Sequence, residues 1–177
     1  MNQDLNLIPT DLPDVFMVKS NLFEDDRGTF FRAFDQDFFA QKLEFNLSQI
    51  NICFTRDIGT IRGLHFQKEP FQEQKIVRCI SGSILDVAVD IRPKSPTYLK
   101  SVQLELSSEN NLALLIPKGF AHGYQTRKKN SIVQYCTSEI YKPSHEMGMR
   151  FNDPKLKINW DLQVKTVSKK DMNWPLL

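Results

Sequence analysis

The stretch TIRGLHFQKEPFQEQKIVRCISGSILDVAVDIR, Thr60 to Arg92, sets Arg62, His65, Lys75 and Asp86 along runs whose other residues would fill a core. Imidazole, with an ordinary pKa of about 6.5, is mostly free base at neutral pH. A carboxylate on one ring nitrogen fixes the tautomer and leaves the other nitrogen as a general base. Asp86 and Asp171 both suit that role, and spacing alone leaves the choice open. Lys75 shares strand parity with Val77 and Cys79, so it can enter a barrel mouth and stabilise a developing oxyanion. Arg62 and Arg27 carry rigid forks that match phosphate oxygens. On a regular strand Arg62 and His65 point to opposite faces, so both reach one cavity only if Gly63 marks a bulge. Tyr135 is a weak acid. Opposite a histidine, it completes a pair that takes a proton from one face of a carbon and returns one to the other.

Each of these residue types has a commoner, structural fate: a satisfied core histidine, solvated Lys and Arg, a packing tyrosine. The histidines His65, His122 and His145 are scattered, and GLHFQ places Gln67 where a metal-binding HxH pair needs its second ligand, so no metal is expected. PKGFAHGY, with His122, reads as a barrel-closing turn.

The elements that must position these groups read mostly as strands. DVFMVKSNLF, GTFFRAF, LSQINICFT, GTIRGLHFQ, QKIVRCIS, GSILDVAVDIR, YLKSVQLELS, LALLIP and SIVQYCTSEIY are separated by Gly, Pro, Asn and Ser clusters. In SIVQYCTSEIY, Val133, Tyr135, Thr137, Glu139 and Tyr141 share a face. In ILDVAVDIR one face is apolar, and the other carries Asp86 and Asp90 toward solvent or a polar cavity. DQDFFAQKLEFN is the one helix, capped by Asp35. The pattern predicts an all-β, antiparallel jelly-roll barrel, cupin-like, with one short helix.

The 177 residues fit one domain, 1–177, able to bury a sizeable core. A net charge of +2 gives no electrostatic ground for a nucleic-acid or membrane partner. Cys53, Cys79 and Cys136 are odd in number, widely spaced and without a CxxC, which reads as reduced thiols in a cytoplasmic protein. The N-terminus lacks the basic and apolar regions of a signal peptide.

Taken in order, DDRGTFFRAF, SQINICFT, IRGLHFQ, QEQKIVRCISGSILDVAVDIRPKSPTY, LIPKGFAHGY, VQYCTSEIYKP, FNDPKLKINW and SKKD resemble the dTDP-4-dehydrorhamnose 3,5-epimerase family, metal-free members of the cupin superfamily. The resemblance covers nearly the whole chain. It implies a homodimer with N-terminal strands shared across the interface, no cofactor, and a nucleotide-diphosphate-linked 4-keto-6-deoxy sugar inverted at C3, C5 or both. It implies His65 as base, Asp171 as its partner, Lys75 at the enolate oxygen and Tyr135 as proton donor. Asp86, counted with the substrate-binding groups, becomes a carboxylate lining the lumen or standing behind a group that does. Arg62 would hold the diphosphate, with Gln49, Asn51 and Tyr141 among the substrate contacts. Arg27, Phe30 and Arg32 would approach the nucleotide, with Arg27 and Phe30 coming from the partner subunit. Arg32 stands where the family carries a glutamate, which opens CDP- or GDP-linked sugars as alternatives to dTDP. The rival readings are a non-catalytic sugar-nucleotide-binding jelly roll and a metal-dependent cupin.

Overall fold

Period-two patterning produces two large antiparallel sheets that face each other. The structure, a computed structural model, describes residues 4–177. In chain order the strands are β1 (Leu5–Pro9), β2 (Phe16–Ser20), β3 (Phe23–Asp25), β4 (Gly28–Phe30), β5 (Gln49–Thr55), β6 (Thr60–Gln67) and β7 (Lys75–Ser81). They continue with β8 (Ser83–Asp90), β9 (Ser101–Ser107), β10 (Leu112–Ile116), β11 (Phe120–Thr126), β12 (Ser131–Thr137), β13 (Glu146–Gly148) and β14 (Thr166–Val167). Helix α1 (Gln36–Leu43) precedes β5, and α2 (Lys169–Met172) follows β14. The first sheet runs β1-β2-β10-β7-β12-β5 and the second β13-β6-β11-β8-β9, with β14 parallel to the start of β6. β3 and β4 form a separate ribbon. This is the antiparallel jelly roll the patterning predicts.

Three apolar clusters hold the layers. Between the sheets, Val77, Leu114, Ile116 and Val133 meet Ile84, Ala88, Leu106 and Phe120. Outside the first sheet, α1 and the chain after it lay Phe39 and Phe45 on Val18, Ile76, Ala113, Leu115 and Cys136. Outside the second, Leu64, Leu85, Val87 and Val89 lie under Met149 and Leu156. Truncating Phe39, which is fully buried, would cost about 3–5 kcal/mol. Asp35 caps α1 as expected, accepting the Phe38 N–H at 2.9 Å.

Several expectations need correction. A second helix exists: α2 is one turn, too short to show helical periodicity. PKGFAHGY is mainly strand, since β11 begins at Phe120 and pairs with both β6 and β8. Of the two settings open to the Asp86–Asp90 face of β8, solvent is excluded: that face looks into the barrel. All eight of its residues are buried, because the chain after β13 covers its outer face. Asp90 is accordingly enclosed, accepting from Arg92 Nη2 at 2.8 Å, Ser95 Oγ at 2.6 Å and Thr97 Oγ1 at 2.7 Å.

Candidate active site

The inner faces of the two sheets present different chemistry across one cavity. On the first sheet, cross-strand rows run Gln49–Thr137–Lys75 and Asn51–Tyr135–Val77. On the second, His65 lies beside His122, and Arg62 beside Tyr124. Two residues between Arg62 and His65, Gly63 and Leu64, therefore oppose the single Gly123 between Tyr124 and His122, which is the bulge that parity demanded. Gly63 makes it possible. Its φ is +122°, and a Cβ there would sit 2.5 Å from the Gly123 Cα.

The cavity has two lobes. One, of about 420 Å³, is lined by Cys53, Arg62, His122, Tyr124, Ser168 and Lys170, among others. The other, of about 370 Å³, is lined by Gln49, Asn51, Glu73, Tyr141 and Glu146, among others. His65, Lys75 and Tyr135 line both, so they stand at the junction. Each lobe is in the size range of small-molecule sites.

At the junction His65 Nε2 lies 2.5 Å from Asp171 Oδ1, and the other carboxylate oxygen accepts the Gly63 N–H at 3.3 Å. Spacing left Asp86 and Asp171 open; the geometry selects Asp171. α2 delivers it, with the Ser168 hydroxyl accepting the Asp171 N–H at 3.0 Å as the helix cap. Burial pushes the Asp171 carboxyl up, but the hydrogen bond and charge of His65, with the Gly63 N–H, outweigh it and hold the group below the ordinary carboxylate range. Asp171 thus stays ionised, and the Nδ1 of His65 is left as the basic nitrogen. Burial, with nearby Cys53 and Glu73, pushes the Tyr135 phenol up, so it remains a proton carrier. Lys75 Nζ lies 2.9 Å from Glu73 Oε1.

Arg62 is oriented by Thr55 Oγ1 at 3.1 Å and the Phe54 carbonyl at 3.4 Å. Gln49 Oε1 accepts the Tyr141 N–H at 2.7 Å, and the Tyr141 hydroxyl donates to Glu146. Asp86 is corrected: it is fully buried and does not line the cavity. It bonds His122 Nε2 at 2.8 Å and meets the cavity only through that ring. Arg27, Phe30 and Arg32 are not brought to the junction. Arg27 is exposed at the ribbon's tip and paired with Asp25. Phe30 is 67% exposed. Arg32 pairs with Asp4 at 3.1 Å and Asp35 at 3.8 Å.

Sequence reasoning missed His122, Glu73, Glu146 and Lys170 as lining groups. Period-two spacing of Phe120, His122 and Tyr124 was a usable signal for the first, and of Glu73 and Lys75 for the second. Nothing local marked Glu146, whose carboxylate receives Lys170 Nζ at 2.5 Å.

A model of the dTDP-4-dehydrorhamnose 3,5-epimerase family matches residues 9–177. The chain belongs to that family. A relative of that name from Sinorhizobium fredii is 40% identical over 168 residues, 94% of this chain and 86% of its own. The crystal structure of the Bacillus anthracis dTDP-4-dehydrorhamnose 3,5-epimerase with TDP and PPi bound superposes with a TM-score of 0.92 at 38% identity, covering 98% of this chain and 99% of that one. The Legionella pneumophila dTDP-6-deoxy-D-glucose-3,5-epimerase in complex with dTDP-4-keto-L-rhamnose gives a TM-score of 0.91 at 34% identity, covering 97% and 92%.

Proposed function

We propose that this protein is a sugar-nucleotide epimerase, an isomerase that inverts C3, C5 or both in dTDP-4-dehydro-6-deoxy-D-glucose, toward dTDP-4-dehydro-L-rhamnose. One observation carries the reading: a carboxylate-held imidazole from one sheet and a phenol and an ammonium from the other line the same cavity. Mere binding needs no acid opposite a base.

The C4 ketone acidifies the protons on C3 and C5, so the chemistry is proton transfer. His65 takes the proton through Nδ1, and Asp171 stabilises the imidazolium that results. Negative charge gathers on the C4 oxygen beside Lys75. Tyr135 returns a proton from the opposite side. Positioned proton transfer supplies about 10²–10⁴-fold, and an oxyanion donor about 10²–10³-fold. Arg62 holds the diphosphate, with Gln49, Asn51 and Tyr141 contacting the substrate. Residues 1–177 act as one jelly-roll domain in the cytoplasm, and no helix among the described residues is long and apolar enough to cross a membrane.

The working form is a homodimer. Phe23 and Phe30 on the ribbon, and Ile50, Ile52 and Phe54 on the outer face of β5, are each at least half exposed. Burying them in a dimer would carry the ribbon, with Arg27 and Phe30, to the nucleotide in the neighbouring protomer. Light scattering should read two chains, and Ile52→Glu should shift the mass toward one.

The deciding experiment incubates the protein with dTDP-, CDP- and GDP-linked 4-keto-6-deoxy-glucose in deuterated water and locates deuterium at C3 and C5. Exchange with the dTDP sugar, abolished by His65→Ala, is expected. Exchange at an undiminished rate in His65→Ala would remove the base from the scheme.

A further inference from the structure

The cavity contains a carboxylate that the scheme above does not use. Glu73 lies in the second lobe with its side chain only 10% exposed, and its Oε1 is 2.9 Å from the Nζ of Lys75, itself 12% exposed. A negative group there repels both the diphosphate and the enolate, so alone it would oppose the reaction. It is also costly to bury unless its oxygens are satisfied. Gln67 satisfies the second one. The two hydrogens of its amide nitrogen are shared among Glu73 Oε2 and the carbonyls of Phe71 at 2.9 Å and Ile140 at 3.1 Å, while its oxygen accepts the Lys142 N–H at 2.6 Å. Gln67 is buried and fastened on both sides, so it fixes the carboxylate rather than following it.

We propose that Glu73 is the positioning residue for Lys75, held in turn by Gln67. The inference rests on the epimerase reading of the same cavity. A lysine has a flexible four-carbon stem and three equivalent donors. Glu73 engages one donor and pins the stem, leaving two directed elsewhere for the C4 oxygen. This parallels what Asp171 does for His65: a buried carboxylate orients each working group on the two facing sheets. A displacement of about 1 Å at such a group can cost 10²-fold in rate.

The test is a double-mutant cycle on the wild-type background, using the dTDP-linked substrate and long deuterium-incorporation times so that slow variants remain measurable. Glu73→Ala should lower kcat about 100-fold with KM within about threefold, and Glu73→Asp should recover part of the loss. In a Lys75→Ala background the same change should cost less than about twofold, because the group it positions is gone. Thermal melting of each variant controls for folding. If Glu73→Ala does not fold, the near-isosteric Glu73→Gln carries the same cycle, with an expected loss of about tenfold. Folded Glu73→Ala or Glu73→Gln within twofold of wild type, or a loss that multiplies undiminished onto Lys75→Ala, overturns the inference. A wild-type enzyme that exchanges no deuterium would instead sink the epimerase reading, so the two failures are distinguishable.

Discussion

Replacing Asp171 by asparagine preserves shape and removes charge, and the structure predicts the consequence. The two carboxylate oxygens serve two donors, the His65 Nε2 and the Gly63 N–H. An asparagine has one oxygen. If it keeps the Gly63 N–H, its NH₂ faces His65 and forces that nitrogen to accept. The ring proton then moves to Nδ1, the nitrogen that must be bare. If the amide turns over, the buried Gly63 N–H loses its partner, at a cost of about 1–3 kcal/mol. Loss of the charge also removes a hydrogen bond to the imidazolium worth about 1.5–3 kcal/mol. At about 1.36 kcal/mol per factor of ten, that is roughly 10–150-fold. A histidine held in the wrong tautomer by such a substitution loses about 10⁴-fold. Asp171→Asn should therefore lower kcat by about 10²–10⁴-fold with little change in KM. Deuterium incorporation at C3 and C5, followed by NMR with melting as the folding control, reads it directly. A folded Asp171→Asn within threefold of wild type would refute the pairing as the source of basicity.

Other expectations are as readily checked. Tyr135→Phe should keep deuterium exchange, since His65 can remove and return a proton on one face, but lose inversion by at least 100-fold. Because burial raises the Tyr135 phenol, wild-type inversion should persist through the range in which an ordinary tyrosine ionises; an alkaline loss at or below that range, traced to Tyr135 by spectrophotometric titration of wild type against Tyr135→Phe, would contradict this. Burial pushes the Asp90 carboxyl up, but the Arg92, Ser95 and Thr97 hydrogen bonds outweigh it and leave it depressed. Its stabilising contribution is thus present above the unfolded pKa of about 3.9 and is lost as pH falls toward the folded value. Asp90→Asn should lower denaturant stability at pH 7 by about 3–5 kcal/mol and flatten its fall below pH 4. Burial pushes the Cys79 thiol up to about 11 and raises Cys136 as well, whereas Cys53 lines the cavity. Native protein at pH 8 should show one thiol to Ellman's reagent, protected by dTDP, and three after denaturation.

Much of this was legible in the chain because alternation is a local signal. β5 to β10 and β12 were readable from period-two runs, and α1 from its phenylalanines and Asp35. β11 was obscured by Gly119 and Gly123, whose turn character outweighed the Phe120–His122–Tyr124 alternation. His122 was consequently assigned to a turn. The bulge at Gly63 could be required by parity, though not observed, before a partner strand was in view. The apolar face of β8 was legible, but what covers it, around Met149 and Leu156, lies sixty residues away in sequence. For the same reason no spacing rule could choose between Asp86 and Asp171: 106 positions separate His65 from its partner. Family resemblance supplied that choice. Glu73 was passed over because its meaning depends on Gln67, and the lysine–carboxylate spacing alone reads as a surface pair.

The chain beyond Trp160 is fastened to the barrel by β14 on β6, by Asp171 and Lys170 at the cavity, by Leu177 on Asp153, and by a few shorter attachments. Gln125 bonds the Leu162 backbone, Gly59 receives the Lys165 N–H, and Trp174 stacks against Gly148. Between them the backbone from Asp161 to Lys165 is mostly exposed, an inviting target for a protease. A single nick there would spare the apolar clusters yet leave β14 and the imidazole's partner on a fragment held only by non-covalent contacts. Preparations could then look intact by circular dichroism and still be catalytically silent, and mass spectrometry of the intact chain, more than any spectroscopic check of the sheets, would reveal why.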